Sequence, residues 1–491
     1  MAKIIFVQGL WYEYFGTMAL SAFLKREGHW AKIMMDGWSK KRLIRDVLQE
    51  KPTAVAFSTL TGNFAWSLDL ARGLKVIRPN LTVLFGGIHA TLCPEIVREP
   101  SIDAVCRGEG DETLVEVANA LDAAESLDGI RNLSLFREGK IVCNEIRPLI
   151  QDLDKLPFVD RTVYLEYPFF QKYQIIQMMT GRGCPFRCSY CHNHIQQRMY
   201  KNKGTYVRQR SVDSVIEEIK EIRDRYPYRR LVGFNDDVLW MDYDWLFAFL
   251  ERYGREIGLP FGCTMTPRRV NEEVIQALKE AGLAITGLAF ETGDERVRKD
   301  LLRKPVSNEE YREAAALLHR YKIPFTTGTI LALPGESLRQ AMTSLELNWK
   351  MKPIFPWSSL FQPYPGIDLT RYAEEQGLVG SGAYHDIGES FYNKSLLKQP
   401  DRNRMDNLQK LYFLAVRFPR WFPLIRKLIE YPPNPLFKAI FVAGYGYYLK
   451  RIQHLTWKQI FTHGCRFLVS TLRYQAAERR IRRERIMPPS A

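Results

Sequence analysis

The run Gly181-Arg182-Gly183-Cys184-Pro185-Phe186-Arg187-Cys188-Ser189-Tyr190-Cys191 decides how the rest of the chain reads. Its cysteines, Cys184, Cys188 and Cys191, are spaced C-x3-C-x2-C. Three thiolates this close on one loop suit a single metal centre. Iron–sulfur clusters as a rule take four cysteine thiolates, so three would leave one iron of a four-iron cluster open. An open position lets a metal centre bind and activate a substrate. Gly181 and Gly183 allow the backbone to turn closely around the ligands, and Tyr190 sets an aromatic ring just before the third cysteine. The competing reading is a structural zinc knot with His192 or His194 as fourth ligand.

On both sides of this loop, short apolar runs alternate with helical patterns. Upstream, strands are predicted at 4–7, 31–35, 54–58, 82–85 and 104–106, with helices between them. This alternation predicts a doubly wound parallel α/β sheet over residues 1–150. A hairpin is predicted at 130–136 and 140–143, within a connector, and residues 151–174 form a linker rich in Pro, Asp and aromatics. Downstream, strands at 175–178, 231–235, 261–265, 285–290, 325–331 and 358–362 each lead into a helical pattern. Six such units fit a partial (β/α)6 barrel over 175–370. Residues 371–491 are helical in pattern, aromatic and broken by prolines.

Ligands of both architectures sit at the carboxyl ends of the strands. In the first domain those ends carry Ser58-Thr59-Leu60, Gly86-Gly87-Ile88-His89 and Gly108-Glu109-Gly110-Asp111. In the second they carry Asp236-Asp237, Glu291-Thr292-Gly293 and the run from Gly328 through Ile330 to Pro334-Gly335-Glu336. Each also has a plain structural reading: Asp236 and Asp237 as helix caps, the glycine pairs as turns, Glu291 as a surface acid. Gly-x-Gly-x-x-Gly is absent after the first strand, which weighs against a dinucleotide.

Hydrophobic residues make up 46% and charged residues 25%, an ordinary globular balance. No apolar run reaches eighteen residues, so no transmembrane helix is expected. The start of the chain lacks a signal-peptide layout. Cys93, Cys106, Cys143, Cys263 and Cys465 are scattered and are expected to be buried free thiols, which fits a reducing cytoplasm. The net charge of +15 is concentrated in the tail: from Arg417 onward there are fifteen Lys/Arg and three Asp/Glu. Such a surface suits a helical cap over the active site or peripheral contact with an anionic membrane. No nucleic-acid-binding fold is evident, so no nucleic-acid partner is expected.

The cysteine loop resembles that of the radical S-adenosylmethionine (SAM) enzymes, C-x3-C-x-aromatic-C. The order of strand-end residues before it is similar to the cobalamin-binding domain fused ahead of one subset of them. The resemblance implies a [4Fe-4S] cluster on Cys184, Cys188 and Cys191, with SAM on the open iron. It places Tyr190, Asp236, Asp237, Glu291, Gly328, Ile330 and Pro334 around SAM, and Arg268 or Arg269 near its carboxylate. It places Ser58, Leu60, Gly86, Gly87, Gly108 and Glu109 around cobalamin, with His89 as a loop or tail contact. One departure stands out: the Asp-x-His-x-x-Gly of methionine synthase and the mutases is missing after the first strand, so cobalt has no histidine below it from that motif. The implied activity is that of a cobalamin-dependent C-methyltransferase acting on a small-molecule or lipid-like substrate through a 5'-deoxyadenosyl radical. An external flavodoxin- or ferredoxin-like donor would supply electrons, and no side-chain acid or base is obligatory. Two alternatives stay open: a radical ring-forming, rearrangement or oxidative reaction, and a cobalamin-binding regulator with a vestigial barrel.

Overall fold

The computed structural model describes residues 1–9, 11–37, 39–388, 394–451, 456–458, 460–461 and 476–477. The first domain builds on five parallel strands, β1 (Lys3–Gln8), β2 (Trp30–Met35), β3 (Ala54–Ser58), β4 (Thr82–Gly86) and β5 (Ala104–Cys106). The intervening helices are α1 (Phe15–Arg26), α2 (Lys40–Gln49), α3 (Phe64–Ile77) and α4 (Gly87–Leu92), with α5 (Asp111–Asp122) following β5. The strands are near-continuous apolar runs because both faces are covered. One face packs Val7, Val55, Phe57 and Phe85 against α2 and α3, and the other packs Phe6, Ile33 and Leu84 against α1 and α5. The sheet order is β2-β1-β3-β4-β5-β6-β7. It reverses direction at β1 and β3, which opens a crevice at their carboxyl ends.

The predicted hairpin forms as β6 (Leu133–Arg137) and β7 (Lys140–Cys143), but it is no part of a connector. β6 pairs antiparallel with β5 and extends the first sheet to seven strands. Cys143, on the outer strand, is exposed rather than buried, because only β6 covers that edge. Cys465 lies outside the described residues. The stretch expected as a linker is also largely docked. It folds into α6 (Thr162–Leu165), whose Tyr164 is fully buried among α1 and β1 residues together with Phe170. Tyr164 Oη donates to Gln8 Oε1 at 2.7 Å and accepts from Tyr14 N at 2.9 Å.

The second sheet starts at β8 (Ile175–Met178). A two-residue ribbon, β9 (Gly181–Arg182) with β10 (Arg208–Gln209), brackets the cysteine loop and α7 (Asn193–Met199). There follow α8 (Val212–Arg225), β11 (Leu231–Phe234), α9 (Tyr243–Glu256), β12 (Phe261–Thr264), α10 (Glu272–Glu280), β13 (Leu283–Glu291), α11 (Asn308–Arg320), β14 (Phe325–Leu331), α12 (Leu338–Met351) and β15 (Phe355–Leu360). All six main strands are parallel, in the order β15-β14-β13-β12-β11-β8, the open barrel expected. The last strand starts three residues earlier than predicted. The helices begin with side-chain caps, among them Ser307 and Ser337 in reciprocal capping boxes.

The tail follows as α13 (Asp368–Glu375), α14 (Arg402–Arg417), α15 (Phe422–Leu428) and α16 (Pro435–Arg451). α14 covers the β15 edge of the barrel. Gln409 Nε2 donates to Ser358 O at 3.0 Å, and Tyr412 is buried between Thr329 and Asn348. This is a cap on an exposed sheet edge, which would otherwise present unpaired backbone groups. Among the described residues no helix is long and apolar enough to cross a membrane. Arg479, Arg480, Arg482, Arg483 and Arg485 lie outside the described residues.

Candidate functional site

The cysteine loop is pinned on every side. A Cβ on Gly181 would stand 2.6 Å from Arg208 O, and one on Gly183 (φ +90°) would stand 2.3 Å from Tyr206 O. Only glycine lets the β9–β10 ribbon close this tightly. Gln197 Nε2 donates to Cys184 O at 2.7 Å and Phe186 O at 3.0 Å. Ser189 N donates to Leu302 O at 3.0 Å, fastening the loop to the segment after β13. Cys184 and Cys188 are buried, Cys191 partly so. Burial pushes the Cys184 thiol up to about 12, and Asp237 and the two other thiols add to the rise. Cys188 and Cys191 are raised as well, again first by burial. Three neighbouring thiols that oppose one another's ionisation become thiolates readily only with metal charge among them, so the donor set fits a metal cluster. Among the described residues no three His, Cys, Asp or Glu converge on one ion. The thiolates of a four-iron cluster each bind a different iron and need no such convergence.

The acidic pair at the end of β11 divides its work. Asp236 points back into the fold: it accepts from Thr180 N and Gly181 N, each at 2.8 Å, and anchors the entry to the loop. Burial raises its carboxyl to about 7, against the pull of those hydrogen bonds. Asp237 faces open space and accepts from Asn193 Nδ2 at 3.0 Å, whose amide also reaches Cys191 Sγ at 3.5 Å.

Glu291 ends β13 with φ +66°, a left-handed conformation that a non-glycine residue rarely adopts. Tyr190 Oη and Lys304 Nζ both donate to its Oε1, each at 2.9 Å. Lys304 is held by Ala289 O at 2.6 Å, and its charge lies close enough to Cys188 to favour that thiolate. Gly328 sits against Ala289, and Ile330 packs in an apolar cluster with Tyr190. Past Pro334, Glu336 is buried, accepting from Leu333 N at 3.2 Å.

A cavity of about 560 Å³ lies between the two domains. The first domain lines it with Ser58, Gly86, Gly87, Gly108 and Glu109, the second with Gly183, His192, Asn193 and Asp237. A Cβ on Gly87 (φ +87°) would meet Thr59 N at 2.7 Å, so the wall there is bare backbone. The cavity deepens between Phe6, Ala56 and Leu84 of the sheet and Leu20, Phe23 and Leu114 of α1 and α5, an apolar slot suited to a large aromatic group. The chain's own side chains thus fit an extended cofactor with a planar tail.

Not every expected residue lines this cavity. Leu60 points outward and is 40% exposed. His89 is buried outside this lining, its ring tilted against Phe64 with centroids 4.5 Å apart and Nδ1 3.2 Å from Thr61 Oγ1. Tyr190, Glu291, Gly328, Ile330 and Pro334 are not in its lining, and Tyr190 and Ile330 pack on an apolar cluster elsewhere. Glu109 lines the cavity, yet its carboxylate is committed elsewhere. Arg208 clasps it at 2.5 and 3.2 Å, and Arg182 reaches it at 3.3 Å while pairing Asp111 at 2.8 and 3.1 Å. The run Gly108-Glu109-Gly110-Asp111 therefore clamps the first domain to the ribbon that carries the cysteines. Arg182, Arg208, Asn193 and Lys304 are the site residues sequence reasoning missed. Only Arg182, flanked by two glycines beside the cysteines, carried a local signal.

Residues 178–347 match the Radical SAM superfamily and residues 7–118 match the B12 binding domain. The chain is a cobalamin-binding radical SAM enzyme. Its cofactors are a [4Fe-4S] cluster, SAM and cobalamin. This radical SAM enzyme is 29% identical over 377 residues to the uncharacterized methyltransferase PH0819 of Pyrococcus horikoshii, covering 74% of the chain and 79% of the relative. It is 24% identical over 470 residues to the anaerobic magnesium-protoporphyrin IX monomethyl ester cyclase of Rubrivivax gelatinosus, covering 84% and 82%. Its fold is similar to that of the radical SAM methyltransferase TsrM of Kitasatospora setae, with a TM-score of 0.63 at 18% identity over 77% of this chain and 76% of that one.

Proposed function

We propose that this radical SAM enzyme methylates an unactivated carbon of a small-molecule or lipid-like substrate. The observation that carries the reading is the shared cavity, whose walls come from the strand ends of the first domain and from the helix that begins two residues after Cys191. The cavity joins the backbone-lined wall of the first domain to Asp237 and to the glycines at the entry of the cysteine loop, so a substrate held there would lie between the two cofactor-binding domains, the proximity that a two-cofactor reaction requires. The methyltransferases among the relatives support the same reading.

In this proposal Cys184, Cys188 and Cys191 hold the cluster. Tyr190, Asp237, Glu291, Gly328, Ile330 and Pro334 form the SAM site, with Asp236 fixing its floor. Ser58, Gly86, Gly87 and the slot beyond them hold cobalamin, and Gly108 and Glu109 keep that slot in register with the loop. When bound, cluster and SAM supply a 5'-deoxyadenosyl radical and cobalamin supplies a transferable methyl group. The chain positions these groups and excludes water, and no general base is assigned.

The test is anaerobic reconstitution with iron, sulfide and hydroxocobalamin, then methyl-labelled SAM and a strong reductant. S-Adenosylhomocysteine with labelled methyl on cobalamin, and 5'-deoxyadenosine that disappears in Cys184→Ala, is the expected result. Deoxyadenosine with no label on cobalamin would overturn methyl transfer and favour the ring-forming or oxidative reaction suggested by the cyclase relative.

A further inference from the structure

We propose that a basic hollow behind the cysteine loop is the docking face for an acidic one-electron carrier protein. The inference rests on the reading of Cys184, Cys188 and Cys191 as cluster ligands, and deepens it by assigning the face on which the external electron donor sits.

Helix α7 has two faces. Asn193, Gln196 and the following Tyr200 look into the interdomain cavity. His194, Gln197, Arg198 and the following Lys201 line a different hollow, of about 390 Å³, with Arg187 and Arg303 on its other walls. The spacings are those of opposite stripes on one helix. The hollow is tied directly to the back of the loop. Gln197 binds Cys184 O with its amide nitrogen and Arg187 Nε with its amide oxygen, the latter at 3.0 Å. A charge carrier seated here would touch the loop from the side away from the cavity and leave that cavity clear for cofactors and substrate.

The electrostatics of this hollow are one-sided. Among the described residues, Asp368 is the only carboxylate in its lining. It is 13% exposed and accepts from Arg303 at 2.7 Å, Arg371 at 2.7 Å and Arg198 at 3.0 Å, with His194 Nε2 at 3.3 Å. The three guanidinium side chains are each more than half exposed. The carboxylate thus lies beneath and holds the cations outward, and Arg187 and Lys201 add to them without an ion pair among the described residues. An array of fixed cations around one buried acid does not neutralise itself. It steers an acidic partner to this face and orients it there.

A cluster that cleaves SAM reductively needs one electron from outside the chain for each cleavage. In the docked complex the carrier loses one electron and the cluster gains it. No bond is made or broken and no proton moves in that step.

Stopped-flow reduction of the cluster-loaded, full-length enzyme tests the proposal, with reduced acidic flavodoxin and dithionite as separate donors. Two variants are compared with the parent: Lys201→Glu, an exposed position without an ion pair, and Arg198→Ala/Arg303→Ala. The expected result is a flavodoxin rate that falls about tenfold in each variant and falls with added salt in the parent. The dithionite rate, iron content and sulfide content should not change. A flavodoxin rate that is the same in the parent and Lys201→Glu, or that ignores salt, would overturn the docking face. A parent enzyme that dithionite cannot reduce would instead overturn the cluster reading on which it rests.

Discussion

Tyr190 Oη donates to Glu291 Oε1 at 2.9 Å, joining the cysteine loop to the end of β13 across 101 residues of chain. Lys304 Nζ meets the same oxygen, and all three groups are largely buried. Removing one member of a buried ion pair leaves the other charged group without compensation, at a cost of about 3–5 kcal/mol. Lys304→Met should therefore lower the denaturant midpoint of unfolding markedly. Lys304→Met/Glu291→Gln should recover most of the loss, because no lone charge remains. Equal destabilisation of the single and double variants would show that the pair contributes packing alone.

The clamp between domains makes Gly108 a sensitive position. A Cβ there would fall 1.9 Å from Tyr200 Oη, and Gly108 has φ +75°. Tyr200 Oη also accepts from Glu109 N at 2.8 Å. Gly108→Ala should push Tyr200 off this amide and loosen the first domain from the ribbon. We expect bound cobalamin, measured by its absorbance after gel filtration, to drop severalfold while iron and sulfide stay near parent levels. Parent-like cobalamin retention would mean that the clamp has no bearing on the slot.

Gly87 tests the slot itself. Its Cβ would strike Thr59 N and O at 2.7 and 2.8 Å, so Gly87→Val fills the backbone-lined wall. Cobalamin binding should be lost, and 5'-deoxyadenosine formation from SAM should survive, since the cluster loop is untouched. Simultaneous loss of both would place Gly87 in the folding of the chain rather than at a cofactor wall.

Stability should depend on pH through Glu336. Burial raises its carboxyl from the usual 4.5 to about 8. Between those values the folded protein keeps a proton that the unfolded chain has released, so stability falls as pH rises through this window and levels off above it. Asp236, raised to about 7 by burial, slopes the same way over a lower range. Glu336→Gln should flatten the loss above pH 7 and be more stable than the parent at pH 8.5, by urea unfolding of the cofactor-free protein. A parent that gains stability between pH 5 and 8 would contradict the assignment.

How far the fold was legible follows from how local its signals are. β3, β5, β8 and β14 fall on the residues that their apolar runs mark. Burial on both faces writes itself into a single stretch of chain. The cysteine trio is equally local. Glu109 was harder, because a Gly-Glu-Gly-Asp run after a strand looks the same whether its acid meets a cofactor or an arginine 99 residues away. His89 sits two residues past a glycine pair that does line the cavity, yet α4 starts at Gly87 and turns the imidazole onto Phe64 and Thr61 instead. The docked stretch around Tyr164 lacked periodicity because its contacts are with α1 and β1, not with a repeat of its own.

The clasp of Glu109 by Arg208 and Arg182 bears on how such proteins can be recombined. Two modules joined only by tether could trade partners freely. Here the acid, the glycine before it and both guanidinium groups must travel together, since an acid without its arginines is left half-buried in a low-dielectric seam. A chimera that grafts a foreign front domain onto this barrel would inherit Arg182 and Arg208 as unmatched cations. Restoring a Gly-Glu-Gly-Asp run at the graft should be the smallest change that lets the borrowed half seat.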